Sequence, residues 1–213
     1  MQNTTTDMTL LGLFQMGGIF MWPLLLFSIA TISIAVERII FISRSNLRVD
    51  DLKNEARKFI GNDNIEGAKN YLKEKSERQM GARVLLSLVE KPGLSEHRME
   101  KAAETEALTC INSLESGFDF LTALGSLSPL TGFLGTVSGM IGAFKSIAEA
   151  TEVNAQIVAN GIYEALITTV FGLIIAIIAM VASSLLSHAV DKFASDIETC
   201  CAELIAELKP DEH

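Results

Sequence analysis

Three long runs of the chain contain no charged residue, and they limit what it can fold into more than any other feature. The runs are Met8–Val36, Phe120–Phe144 and Ala165–Val190. Each exceeds the roughly 20 residues that an α-helix needs to cross the hydrocarbon core of a bilayer. A soluble fold of 213 residues is too small to bury three such helices on all sides. The sequence therefore predicts an all-α, polytopic membrane protein with three transmembrane helices.

The positions of Lys and Arg orient these helices, because cytoplasmic loops are enriched in basic residues. Arg38, Arg44 and Arg48 follow the first run. The segment between the second and third runs, in contrast, has Lys145 as its only basic residue. The region after the first run is therefore expected in the cytoplasm. The predicted segments are an outer N-terminus (1–16), a transmembrane helix (17–42), a cytoplasmic helical region (43–118), a second transmembrane helix (119–147), an outer loop (148–159), a third transmembrane helix (160–190) and a cytoplasmic tail (191–213).

The cytoplasmic region has the residue spacing of short helices. Apolar residues recur at helical intervals in Asp50–Ile60, and Arg83–Glu90 is rich in apolar residues. Asp63 and Glu66 match a capping box, in which the first side chain caps a helix and the second reaches back to it. We therefore expect this region to consist of helices.

Two transmembrane helices are expected to extend into the cytoplasm. No Gly or Pro occurs between Ser95 and Gly117, so one helix is predicted to run from Ser95 directly into the second transmembrane segment. Asp191–Leu208 is predicted to continue the third transmembrane helix. Its apolar face comprises Phe193, Ile197, Cys200, Cys201, Leu204 and Leu208.

The second and third transmembrane segments each carry a face of small residues. Small side chains allow two membrane helices to approach closely, whereas bulky ones suit contact with lipid. We expect these faces to serve protein contact or to line a lumen. The face of the second segment contains Ser128, Gly132, Gly135, Thr136, Gly139 and Ala143, and that of the third contains Gly161, Ala165, Thr168, Thr169, Gly172, Ala176, Ala179 and Ser183.

Thr136 and Thr169 are predicted to lie at the same depth. Each is about ten residues from the outer end of its helix, which at the helical rise places both about 15 Å deep, near the midplane. In an assembly of several subunits these hydroxyls would form a polar ring. The alternative is that each hydroxyl bonds a carbonyl of its own helix and has no further role.

Three ionisable residues lie near the ends of the predicted membrane helices. Glu164 is about one turn inside the outer end of the third helix, where it is either a functional carboxylate or a solvated interfacial one. Glu37 and Arg38 lie at the cytoplasmic end of the first helix and are expected to form an interfacial pair that fixes its orientation.

Several classes of function are not supported by the residues. The net charge is −9 and no basic stripe occurs, so no nucleic-acid binding is expected. The three cysteines have no metal-ligand spacing and are expected to be buried thiols, so no metal or cofactor is predicted. No catalytic constellation occurs, so no enzyme is predicted. The middle of each transmembrane segment lacks Asp, Glu, Lys, Arg and His, so a proton pathway here would need a carboxylate from a partner.

Two sequence stretches resemble the ExbB/TolQ/MotA proton channel family. They are Pro129–Phe144 (PLTGFLGTVSGMIGAF) and Gly161–Leu173 (GIYEALITTVFGL), and Glu37 with Arg38 also fits the family pattern. Three membrane segments with a large loop after the first resemble ExbB and TolQ more than MotA. The resemblance extends over almost the whole chain.

The resemblance implies a bacterial inner-membrane motor subunit with a periplasmic N-terminus and a cytoplasmic C-terminus. It implies a homopentamer around a central pore that holds single-pass partners of the ExbD or TolR kind, each with a membrane aspartate. By motif, the pore threonines correspond to Thr136 and Thr169, with Thr168 as a neighbouring hydroxyl, and the pathway glutamate corresponds to Glu164. The alternative is a non-conducting membrane scaffold or signalling subunit, in which the small faces serve packing alone.

Overall fold

The computed structural model describes residues 10–62, 64–90, 95–149 and 155–208. All regular structure in these residues is α-helical, which confirms the predicted all-α class. The helices are α1 (Leu10–Met16), α2 (Met21–Arg44), α3 (Asp50–Gly61), α4 (Ile65–Lys75), α5 (Met80–Val89), α6 (Glu96–Glu115), α7 (Phe118–Glu149) and α8 (Ala155–Glu207).

Three helical stretches among the described residues are long and apolar enough to cross a membrane, as the sequence predicts. They lie within Met21–Arg44, Glu96–Glu149 and Val158–Glu207. Large apolar side chains project from each of them, and Ile29, for example, is 56% exposed in the chain by itself. A bilayer accepts such side chains without the cost that water imposes. These surfaces are therefore suited to contact lipid or other membrane helices.

The chain divides into two compact units. One, here called the membrane unit, contains the described residues up to Ala35 together with Asp119–Ser184. The other, here called the tail unit, contains Val36–Phe118 and the described residues from Leu185 onward. Because α8 is one uninterrupted helix, it contributes residues to both units, as the predicted extension of the third transmembrane helix requires.

In the membrane unit, α1 and α2 pack on one side of α8. Met21 and Leu24 of α2 form a buried apolar cluster with Ile167 and Ile175 of α8. Side chains of α1 and further residues of α2 and α8 extend this cluster, namely Leu13, Phe14, Phe27 and Phe171. The first membrane helix is therefore held to the third by ordinary apolar burial.

In the tail unit, the short helices pack in chain order, α3 on α4, α4 on α5 and α5 on α6. The C-terminal part of α8 buries five of the six residues of the predicted apolar face, and the sixth, Leu208, is half-buried. The five buried residues are Phe193, Ile197, Cys200, Cys201 and Leu204. Lys53 of α3 forms an ion pair with Glu203 of α8 at 2.8 Å, and a second ion pair joins Arg57 to Glu207. The end of α8 is thereby a core element of the tail unit.

The predicted uninterrupted helix from Ser95 into the second transmembrane segment is wrong. α6 ends at Glu115 and α7 begins at Phe118, with Ser116 in an extended conformation between them. Gly117 has φ 89°, in the left-handed region that glycine adopts without a steric cost. The first glycine after Ser95 therefore ends the helix, because its backbone takes a conformation that an α-helix excludes.

The predicted helix cap also needs correction. α4 begins at Ile65, and its cap is Asn64, whose Oδ1 accepts a hydrogen bond from the amide of Gly67 at 2.9 Å. An asparagine oxygen satisfies an unpaired amide of the first helical turn as well as an aspartate oxygen does, so the helix can begin one residue later. Asp63 itself and residues 150–154 of the predicted outer loop lie outside the described residues.

We predict that the two thiols near the end of α8 resist alkylation in the folded protein. Burial raises the pKa of Cys200 and of Cys201 to about 12. Alkylation requires the thiolate, whose fraction at pH 8 is then about a thousandfold below that of an ordinary cysteine. Iodoacetamide labelling followed by peptide mass spectrometry checks this, before and after denaturation.

The matched control is Thr199→Cys, since Thr199 is the exposed neighbour of Cys200 on the same helix. Its thiol should react quickly in the folded protein. Equal labelling rates at positions 199 and 200 would contradict the buried packing of this helix face.

Candidate functional site

The small faces of α7 and α8 lie against each other within one chain. The helices run antiparallel: Gly125 of α7 is next to Ala179 of α8, whereas Gly139 of α7 is next to Gly161 and Ala165. The contact between these faces is here called the α7–α8 seam. The two stripes that the sequence marks for protein contact thus meet as partners in the same subunit.

The seam is too narrow for larger side chains at its centre. A Cβ on Gly132 would lie 2.7 Å from the carbonyl oxygen of Thr168, and a Cβ on Gly172 would lie 2.6 Å from that of Ser128. Both neighbours are backbone atoms, which cannot rotate away as a side chain can. Glycine at these positions therefore sets the distance between the two helices.

Thr168 is fully buried in the seam. Its hydroxyl lies 2.9 Å from the carbonyl oxygen of Ala165 on its own helix and 3.2 Å from that of Gly132 on α7. A Cβ on Gly135 would lie 2.7 Å from the Cβ of Thr168. The structure therefore places Thr168 in the helix contact, and Thr169 nearer to the surface.

Thr136 and Thr169 meet at one edge of the seam, where both are only partly buried. Their hydroxyls are hydrogen-bonded to each other across the two helices. The Thr136 hydroxyl also lies 3.0 Å from the carbonyl oxygen of Ala165, and the Thr169 hydroxyl lies 3.3 Å from that of Gly132. The two threonines that the sequence places at one depth are thus in direct contact.

Together, the three hydroxyls form a hydrogen-bonded cluster around two carbonyl oxygens, those of Gly132 and Ala165. Each hydroxyl has a single proton and more than one acceptor within reach, so the cluster has several alternative hydrogen-bond arrangements. None of these groups ionises near neutral pH. The hydroxyls can exchange their hydrogen-bond partners, but the cluster cannot itself hold a charge.

Glu164 lies on a different side of α8 from this cluster. Glu164 and Thr169 are five residues apart, so their side chains leave the helix about 140° apart. The Glu164 carboxylate contacts Gly18, in the turn between α1 and α2. Of the sequence-predicted pathway residues, Thr136, Thr168 and Thr169 are therefore brought together, and Glu164 is not.

The remaining predicted packing and interfacial residues also have defined contacts. Gly139, Gly161, Ala165 and Ala176 lie in the α7–α8 seam with the glycines described above. In the tail unit, Arg38 pairs with the Glu37 carboxylate through Nε at 2.5 Å and Nη2 at 2.7 Å. Arg38 also donates to the carbonyl oxygen of Ser113 on α6 at 3.3 Å. The pair thus links the end of α2 to α6.

Two residues of the membrane unit with unusual surroundings escaped the sequence analysis. Gly18, the contact of Glu164, belongs to a Gly-Gly pair, which is a turn signal within the apolar run. Thr31 of α2 is buried, and its hydroxyl has no hydrogen-bond partner. No sequence signal distinguishes Thr31 from a threonine that bonds its own helix, because the difference arises only from side-chain rotation.

The sequence of this chain is similar to those of known proteins, and the matched family profile includes the residues of the seam. The profile of the MotA/TolQ/ExbB proton channel family matches residues 68–199. The Synechocystis protein named ExbB-like 3 is 34% identical over 163 residues, which are 76% of this chain and 77% of that protein. The biopolymer transport protein exbB1 of Vibrio cholerae is 31% identical over 190 residues, 86% of this chain and 82% of that protein. The Tol-Pal system protein TolQ of Haemophilus influenzae is 43% identical over 86 residues, 40% of this chain and 38% of that protein.

We predict opposite effects on stability from one substitution at two buried threonines. Thr31→Val replaces a hydroxyl that has no partner, so it should raise the free energy of unfolding by about 1 kcal/mol. Thr168→Val removes a hydroxyl that bonds across the seam and should lower it by about 1 kcal/mol. Chemical or thermal unfolding of the purified protein measures both. Higher stability of Thr168→Val would contradict the hydrogen bonding described for the seam, and lower stability of Thr31→Val would contradict an unpaired hydroxyl at Thr31.

Proposed function

This chain belongs to the MotA/TolQ/ExbB proton channel family, and from that premise we propose that it is the channel and stator subunit of a proton-driven motor. In this proposal it is a multi-pass bacterial inner-membrane protein that uses the proton motive force to transmit energy to the cell envelope. The periplasmic side has the N-terminus and residues 148–159. The cytoplasmic side has the tail unit, in accordance with the positive-inside rule.

One observation carries the proposal, the hydroxyl contact between Thr136 and Thr169 at the edge of the α7–α8 seam. Polar side chains near the midplane of a membrane segment are costly and are usually retained for function. Both residues are only partly buried in the single chain, so this edge of the seam is open to water or to another chain. This edge of the seam is our candidate for the surface that lines the proton pathway.

The pathway needs a group that this seam does not contain. The cluster of Thr136, Thr168 and Thr169 offers hydroxyls and carbonyl oxygens, and none of these stores a charge. We therefore expect a single-pass partner of the ExbD or TolR kind to supply a membrane aspartate opposite Thr136 and Thr169. The hydroxyls would then relay protons between that carboxylate and water, each giving up its own proton as it accepts another, so that no charge stays on the cluster.

The proposed assembly is a homopentamer that surrounds the partner helices. Because the small faces of α7 and α8 are occupied by each other, contacts between subunits must use other surfaces. Large apolar side chains that are exposed in the single chain are available for this purpose, among them Phe133 and Leu166. In the tail unit, an open groove between α6 and α8 has an apolar floor that includes Ala107 and Ile197.

The process that receives the energy is proposed only as a class. The names of the relatives refer to biopolymer transport and to the Tol-Pal system. By extension, this chain would support either transport across the envelope or envelope maintenance. Which of these two processes is energised would depend on the outer domain of the single-pass partner, since that domain would contact the protein that receives the energy.

A second candidate function, a non-conducting scaffold, is favoured by the same seam. The packing between α7 and α8 accounts for the small residues at Gly132, Gly135 and Gly172 without any pore. The two candidates differ at the edge of the seam. A scaffold needs the glycines but not the hydroxyls of Thr136 and Thr169, whereas a channel needs both.

We predict that the hydroxyl of Thr169 is required for proton flux but not for assembly. Thr169→Val keeps the side-chain shape and removes the hydroxyl, so flux should fall by about tenfold or more. Thr169→Ser keeps the hydroxyl and should retain most of the flux. The measurement is acidification of proteoliposomes that contain the purified chain and its co-expressed partner.

Thr131→Val is the matched control, because the Thr131 hydroxyl donates to the Leu127 carbonyl of its own helix, at 2.9 Å, and to no other described residue. Its flux should equal that of the unaltered protein. Full flux in Thr169→Val, with the assembly intact, would contradict the channel proposal and favour the scaffold.

Assembly gives a separate prediction. Native mass spectrometry of the chain, co-expressed with a single-pass neighbour that carries a membrane aspartate, should detect a pentamer that retains the neighbour. The physical reason is that a contact between two different surfaces of identical subunits leaves no such surface unpaired when the ring closes. A monomer or dimer that does not retain the neighbour would contradict the proposed assembly.

A further inference from the structure

Glu164 is in contact with the backbone of Gly18. A Cβ placed on Gly18 would overlap the carboxylate oxygen Oε1 of Glu164 and lie 2.9 Å from its Cδ. Gly18 also has φ 67°, a left-handed conformation that L-amino acids with side chains adopt only with strain. Two independent features therefore require glycine at this position, the conformation of the turn and the carboxylate that lies against it.

The turn that contains Gly18 is fixed on both sides. The amide of Gly17 donates to the carbonyl oxygen of Leu13 at the end of α1, at 3.1 Å. The carbonyl oxygen of Gly18 accepts from the amide of Met21, the first residue of α2, at 3.2 Å. A Cβ on Gly17 would lie 3.3 Å from the side chain of Ile167, so the turn also packs on α8. The carboxylate thus rests against a defined backbone.

We propose that Gly18 is the positioning residue of Glu164. By presenting only a hydrogen atom, Gly18 leaves room for the carboxylate between the α1–α2 turn and α8. The helical spacing places Glu164 on the side of α8 away from Thr169, and the α1–α2 turn then determines where its carboxylate lies. The inference rests on the proposed function only in taking Glu164 as part of the proton pathway.

The contact predicts how a side chain at position 18 would act. The atoms it would meet are at the far end of the Glu164 side chain, which can rotate aside. The substitution Gly18→Ala should therefore displace the carboxylate. Gly18→Asn serves as a second variant, because asparagine tolerates a left-handed backbone better than alanine and still occupies the space of the carboxylate.

The first measurement is the rate at which dicyclohexylcarbodiimide modifies Glu164, followed by peptide mass spectrometry on membranes that contain the full chain and its partner. Displacement from the packed contact should make modification about threefold faster or more in Gly18→Ala and in Gly18→Asn. Gly142→Ala is the control, because a Cβ there meets no atom within 4 Å. That variant should react at the unaltered rate.

The second measurement distinguishes positioning from a general structural role. Glu164→Asp shortens the side chain by one methylene group and withdraws the carboxylate from Gly18. Gly18→Ala should lower proton flux by about tenfold in the unaltered protein but by less than about twofold when combined with Glu164→Asp. A purely structural defect at Gly18 would lower flux equally in both backgrounds.

The outcomes separate this inference from the proposed function. Unchanged modification of Glu164 in both Gly18 variants, with the assembly intact, would overturn the positioning role. Equal losses of flux in the two backgrounds would overturn it as well. Faster modification together with no proton flux from the unaltered chain and its partner would support the positioning role and refute the channel function instead.

Discussion

The close approach of α7 and α8 is the contact on which the rest of the membrane unit depends. Glycines at positions 132, 135 and 172 face backbone or a buried threonine across the seam, so the two helices touch along their small faces. At this distance the hydroxyl of Thr168 reaches a carbonyl of the opposite helix. Thr136 and Thr169 then meet at the edge. Larger residues in the seam would separate the helices and with them the hydroxyl cluster.

The same helix, α8, has two polar sites on opposite sides of this seam. Thr169 faces the edge that it shares with Thr136, and Glu164 faces the turn before α2. Between them lies the buried face with Thr168. A shift of α2 relative to α8 would move the Glu164 carboxylate directly, whereas a shift of α7 relative to α8 would move the hydroxyls of Thr136 and Thr169. Within a single chain, Glu164 therefore contacts the turn before α2, whereas Thr169 contacts α7.

The tail unit is stabilised as a soluble helical domain is, by buried apolar side chains and ion pairs at its surface. The Glu203 side chain beside Lys53 illustrates the electrostatic part, since the pair lowers the pKa of Glu203 and raises that of Lys53. A carboxyl group with a lowered pKa stabilises the fold above its ordinary pKa and loses this contribution as the pH falls through the lowered value. Both side chains are partly exposed, so solvent limits the effect.

Helical periodicity and the thickness of a bilayer predict the number of membrane helices, the small faces and the depth of Thr136 and Thr169 from the amino acids alone, because these features do not depend on which segments pack together. The same reasoning notes Gly117 but does not predict that the helix ends there. The packing of the helices adds which surfaces the small faces cover, that Thr168 is buried while Thr169 lies at the edge, and that Glu164 contacts Gly18. Those outcomes depend on how α2, α7 and α8 are rotated about their axes, and rotation is set by packing between segments far apart in the chain.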